Sequence, residues 1–211
     1  MTEWYSSCAA ADALSQGDLI FSCPVVGWAR GAVAPSCDSS AALSVLRQDY
    51  RADVVVITQA CDLQHDHVSE VVVCEHVGVS DHFVLWKERM TASGQRPTDK
   101  AWQKYLNHMR KGFDWNHVLL NSQCNAGVEI DHRIVDFSLV RSLPVIFLRS
   151  FVAINSCRRV HLKPPYREHL SQSFARYFMR VGLPTSVSDV PSQQATASSH
   201  PVATAGGAVS L

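Results

Sequence analysis

The segment Val54-Val55-Val56-Ile57-Thr58-Gln59-Ala60-Cys61-Asp62-Leu63-Gln64-His65-Asp66-His67 decides how this chain is read. Its opening run is β-branched and apolar at consecutive rather than alternate positions, and it is too short for most helices. Such a run is a strand buried on both faces. It ends abruptly in chemically capable side chains: Thr58, Gln59, Cys61, Asp62, His65, Asp66 and His67. A buried strand that delivers polar groups to its end is a common way to build a site.

Working outward, a second valine-rich strand is expected at Glu70 to His76, with the polar Cys61–Ser69 stretch as the connection. Gln16-Gly17 introduces a first strand, Asp18 to Cys23, stopped by Pro24; residues 24–40, with Pro24, Gly27, Gly31 and Pro35, read as loop. Ala41 to Asp49 suits a short helix or a strand, and Phe83 to Trp86 reads as another strand. Thr98 caps a helix in which Trp102, Tyr105, Leu106 and Met109 recur at helical spacing until Gly112. His117 to Leu120, Glu129 to Leu139 and Arg158 to Leu162 read as strands, while Trp115-Asn116-His117 carries no recognisable spacing. Pro164-Pro165 opens the clearest helix, which runs to about Val181 on Leu170, Phe174, Tyr177 and Phe178 and is ended by Gly182 and Pro184.

This order lacks the regular strand–helix alternation of a doubly wound sheet. The expectation is an α+β fold: a small, strongly bent sheet or partly open β-barrel with an inserted helix and a C-terminal helix. Residues 1–15 form a loose lead-in, 16–184 a single domain, and 185–211, built of Ser, Ala, Thr, Val, Pro and Gly, a disordered tail.

A chain of 211 residues that is 46% hydrophobic and 18% charged has the material for a real core. Net charge is zero, but residues 1–99 hold six Lys/Arg against 13 Asp/Glu, and residues 100–211 hold 13 against six. The basic excess gathers in Arg141, Arg149, Arg158, Arg159, Lys163, Arg167, Arg176 and Arg180. Two readings follow: a surface for phosphates, or a basic half that faces the acidic half within one fold. The seven cysteines are scattered and form no Cys-x-x-Cys pair, which points to reduced thiols and a cytoplasmic location. The Met1-Thr-Glu-Trp-Tyr start has no basic region before an apolar core, and the longest apolar segment, Leu143 to Ile154, is interrupted by Pro144, Arg149 and Ser150; no membrane association is expected.

Three readings of the strand end stand side by side. Cys61 is a nucleophile with His65 or His67 as base and Asp62 or Asp66 orienting it. Alternatively Cys61, His65 and His67 are metal ligands, with an aspartate completing a shell suited to zinc; the cofactor is otherwise unknown. The third reading is structural, with Asp62 capping a turn, Thr58 and Gln59 satisfying the strand end, and Cys61 filling core space.

Gly17-Asp18-Leu19-Ile20 followed by Val54-Val55-Val56-Ile57-Thr58 resembles the opening of the MazF/PemK-like toxins. That resemblance implies an SH3-like barrel, RNA cleavage without metal, and comparable places for Arg51 and Thr58. Gln59-Ala60-Cys61-Asp62 with the closing stretch from Tyr166 to Arg180 also resembles a group of uncharacterised bacterial proteins, which implies no particular activity. The leading expectation is a bacterial protein that binds RNA, DNA or a nucleic-acid-bound partner through the Cys61–His67 loop together with Arg51, Thr58, Arg158, Arg159, Lys163, Arg176 and Arg180. The alternatives are a metal-assisted or thiol-dependent hydrolase, such as a ribonuclease, using Cys61, Asp62, His65 and His67, and an interaction module with a protein partner in a toxin or antiviral system.

Overall fold

The computed structural model describes residues 3–29, 31–33, 40–154 and 157–179, with backbone alone for 40–42. Its elements are β1 (Tyr5–Ser7), β2 (Asp18–Trp28), α1 (Ser40–Leu46), β3 (Arg47–Val56), α2 (Ala60–Gln64), β4 (Glu70–Gly78), α3 (Val79–Ala92) and α4 (Asp99–Arg110). There follow β5 (His117–Leu120), β6 (Gln123–Asn125), β7 (Val128–Ile130), β8 (Arg133–Pro144), α5 (Val145–Ile154), β9 (Arg159–Leu162) and α6 (Tyr166–Phe178).

Seven strands make one sheet in the order β1-β9-β2-β3-β4-β8-β5, every neighbouring pair antiparallel, and β6 and β7 form a separate hairpin. The fold is α+β as expected, but the sheet is not closed into a barrel: β1 and β5 are its two edges. Helices are also more numerous than the expected two, with six among the described residues.

The valine strand sits at the centre, and Val54, Val55 and Val56 are all 0% exposed. Because side chains alternate along a strand, its residues feed two cores. Val54 and Val56 join Ile20, Val71, Val73 and Leu63 on one face, which α5 covers with Leu148, Phe151 and Val152. Val55 and Ile57 join Leu19, Cys74, Phe137 and Leu162 on the other, where Leu170 of α6 and the β6–β7 residues Val128 and Ile130 pack. An uninterrupted apolar run is what a strand with two covered faces requires.

Several expectations are corrected. β2 does not stop at Pro24 but runs to Trp28. Among the described residues it pairs past Ile20 only with β3, so a proline that lacks an N–H is tolerated there. A bulge places Phe21 and Ser22 opposite Asp53; Ser22 has φ 55°, and its N–H donates to Asp53 Oδ1 at 2.9 Å. Phe83 to Trp86 is helix, because His82 and Trp86 recur one turn apart and Trp86 packs on Trp102 and Tyr105 of α4. Glu129 to Leu139 divides between β7 and β8, and β8 bulges at 137–139 opposite β4, where Asp136 Oδ1 accepts from Ser138 N and Oγ. In the expected lead-in, Tyr5–Ser7 pairs with β9. Ala41 to Asp49 is both alternatives in turn, α1 and then the start of β3.

Other elements stand where periodicity put them. Thr98 Oγ1 accepts from Ala101 N at 3.2 Å at the start of α4, and α6 begins after Pro164-Pro165. Residues 180–211, with Arg180 and the expected tail at 185–211, lie outside the described residues. Among the described residues no helix is long and apolar enough to cross a membrane.

The outer edge of β1 is served by a side chain. Gln123 Oε1 accepts from Trp4 N at 2.7 Å and Tyr5 N at 2.9 Å, and its Nε2 donates to Tyr5 O at 3.1 Å. One carboxamide therefore stands in for a neighbouring strand, and Tyr5 Oη donates to Asn121 O at 2.8 Å beside it. Gln123→Ala leaves the buried Tyr5 amide without a partner, so it should lower unfolding free energy in urea by about 2–3 kcal/mol. A loss below about 0.5 kcal/mol, within ordinary surface-substitution range, would show that β1 is held without it.

Candidate functional site

The end of the valine strand is an exposed corner rather than a pocket. Thr58 is structural: its Oγ1 accepts from Val72 N at 2.7 Å. The chain then turns into α2, where Leu63 points into the core while Cys61, His65 and His67 are exposed. Cys61 Sγ lies 3.6 Å from Gln59 Oε1 and 3.9 Å from Asp62 Oδ1, and Asp62 Oδ1 is 3.7 Å from His67 Nδ1. The His65 and His67 rings are 5.5 Å apart, and Arg149 fastens Asp66 and the Leu63 carbonyl at 2.7 and 2.6 Å. Among the described residues no hydrogen bond joins Cys61 to a histidine, and no three His, Cys, Asp or Glu side chains gather as a metal set.

The basic residues are mostly engaged within the fold. Among the described residues five ion pairs join a Lys or Arg of the second half to an acid of the first: Lys163–Glu3, Arg159–Asp18, Arg133–Asp53, Arg149–Asp66 and Arg141–Glu75. The charge asymmetry is thus largely internal complementarity. Arg159, expected on a working surface, is buried: Asp18 Oδ2 is 3.3 Å from its Nη1, while its Nη2 donates to the carbonyls of Ala9 and Asp12. Arg51 donates to Ser22 O at the β2 bulge, and Arg158 donates to Glu129 O and lies over the Phe21 ring. At strand rise, the seven positions between Arg51 and Thr58 span about 23 Å, so the two do not share a site.

Arg176, like Arg51 and Arg158, is held by a backbone carbonyl and pairs with no carboxylate among the described residues. It lines a cleft of about 910 Å³ bounded by the end of α4, the 111–116 turn, β5 and α6. Its Nη2 donates to Gly112 O at 2.7 Å, and its guanidinium lies 4.4 Å from the centre of the Trp115 ring. Arg110, Lys111, His132 and His169 line the same cleft, and no carboxylate pairs with Arg110, Lys111 or Arg176 among the described residues. Trp4 and Tyr166 form a parallel stack within it, centroids 3.8 Å apart and planes 9° apart. None of Cys61, Asp62, His65 or His67 lines it.

The turn that carries Trp115 is fixed from beneath. Asp114 Oδ1 accepts from Asn116 N at 2.8 Å and His117 N at 3.1 Å, and its Oδ2 meets His117 Nδ1 at 3.1 Å. Across the ring, His117 Nε2 is 3.5 Å from Asp136 Oδ2. Burial works against a charge on His117, but the bonds and charges of Asp114 and Asp136 outweigh it and raise its pKa to about 9. Burial likewise opposes ionised Asp136, yet His117 and Ser138 bring its pKa down to about 2. Tyr105 Oη bridges onward, 3.5 Å from His117 Nδ1 and 3.0 Å from His82 Nε2. Burial, the His117 charge and Arg89 hold His82 down at about 4, so its ring stays neutral.

Sequence reasoning named Arg176, which lines this cleft, but passed over the turn. The available signal was local: an aspartate after a helix-stopping Gly112, followed at helical-turn distance by His117, is the pattern of an Asx turn. The Trp4–Tyr166 stack leaves no such trace, since its partners are far apart in the chain. Fold and cleft define the class, an antiparallel α+β protein with a cationic, aromatic-lined cleft. Beyond that class, neither a family model nor a curated protein matches the chain.

The His117 value carries a pH signature. Its pKa is raised from 6.5 to about 9 on folding. The stabilisation is therefore full below pH 6.5 and lost as pH rises through about 9. The shift corresponds to about 3 kcal/mol. His117→Gln should cost about that much in urea unfolding at pH 6 and progressively less toward pH 9 and above. An NMR titration placing the His117 ring near its ordinary value of 6.5 would contradict the assignment.

Proposed function

We propose that this protein binds nucleic acid, with the α4–β5–α6 cleft as its working surface. The observation that carries the reading is the convergence there of Arg110, Lys111 and Arg176, none ion-paired with a carboxylate among the described residues. The acid lining the cleft is Asp114, whose charge His117 offsets. A cleft of net positive potential attracts polyanions, and each phosphate it neutralises releases condensed counterions. The Cys61–His67 corner and the residues Arg159 and Lys163 are not part of this surface. Arg176 keeps the role that the basic excess suggested.

The test is fluorescence anisotropy with labelled RNA and DNA over a salt series. Three phosphate contacts imply a log–log salt slope of about −2 on single strands or about −3 on duplex. Lys111→Ala should make that slope shallower by about 0.7 to 0.9. Lys163→Ala, which removes a cation already paired with Glu3, should leave it unchanged. Absence of any salt-sensitive binding at micromolar protein would remove the proposal.

A further inference from the structure

The charges of the cleft say that phosphate is welcome; its aromatic rings say in what form. Resting on the nucleic-acid reading, we infer that the cleft takes unpaired nucleotides, so that the protein selects single-stranded over double-stranded nucleic acid. Two aromatic stations stand in the same cleft as the cations. Trp115 is 45% exposed, stands on a turn locked by the Asp114–His117 pair, and has the Arg176 guanidinium over its ring. The half-buried Trp4–Tyr166 pair is stacked face to face, and Gln123 holds the Trp4 amide while Tyr166 opens α6.

Aromatic faces pre-ordered in this way bind other flat faces. A base in a duplex has both faces covered by its neighbours and offers only an edge, whereas an unpaired base offers a whole face to a ring or a guanidinium plane. The rings lie inside a concave cleft, where a strand can enter base-first while its phosphates stay near Arg110, Lys111 and Arg176 at the same walls. Duplex recognition uses the opposite arrangement, a protruding helix or ribbon entering a groove. Stacking carries the preference for an unpaired strand, while the amide residues Gln103, Asn107 and Asn121 in the same lining are of the kind that meets base edges.

The experiment compares a labelled uridylate oligomer with a blunt RNA duplex of equal length, at one salt concentration, using the full chain. The single strand should bind at least about tenfold tighter and quench tryptophan emission. Trp115→Ala should weaken single-strand binding about tenfold with an unchanged salt slope, while Trp115→Phe retains most of the affinity. Trp115 is on the surface, so these variants should unfold in urea as the unaltered chain does, and Tyr166→Ala gives an independent second station. Equal or tighter binding of the duplex overturns the inference and leaves nucleic-acid binding standing. Trp115→Ala without effect on single-strand affinity also overturns it. Failure of both ligands to bind removes the broader reading as well.

Discussion

The structure is organised by the burial of β3 on both faces. Three consecutive valines with no exposed surface require a cover on each side of the sheet. At about 25 cal/mol per Å² of apolar surface, leaving either face open would forfeit more than a marginally stable domain can lose. One cover is α5, which the sequence reading did not expect as a helix and which buries Leu148, Phe151 and Val152. The other is α6 with the β6–β7 hairpin. Placing α6 there brings Tyr166, His169, Ser173 and Arg176 alongside β5, and the cleft is the space left between them.

The distribution of charge follows from the same packing. Acidic β4 and basic β8 are neighbours in the sheet, so Glu75 meets Arg141, and Asp53 on β3 reaches Arg133 on β8 across the intervening β4. The Asp18–Arg159 pair is the deepest, each side chain 2% exposed, and the guanidinium's remaining donors close on Ala9 and Asp12. A buried pair repays its desolvation only when such extra bonds are made. Here they hold the segment before β2 against the sheet. Apart from these pairs, Arg110, Lys111 and Arg176 gather at one cleft without a carboxylate partner among the described residues.

How much of this was legible depended on whether the signal was local. The β3 and β4 strands, α4 with its Thr98 cap, and α6 after two prolines were readable because hydrophobic period and caps are written in consecutive residues. Phe83 to Trp86 misled because a short apolar run has no period of its own; the aromatic wall of α4 makes it a helix. Pro24 misled because a proline ends a central strand but not one that pairs on a single side, as β2 does past Ile20 among the described residues. Thr58 was correctly open to a structural reading, and the hydrogen bond to Val72 supplies it.

By itself the sequence determined that a two-sided β-strand lies at the heart of an α+β domain, that an inserted and a C-terminal amphipathic helix accompany it, and that charge is divided between the halves. Those properties reside in neighbouring residues, where propensity and periodicity act. Only the tertiary structure decided that the divided charges face each other, that the polar strand end is an exposed helix turn, and that Trp4, Trp115, Tyr166 and Arg176 meet in one cleft. Their separation along the chain is large, and proximity across such separations is set by which faces pack together, a property no local pattern encodes.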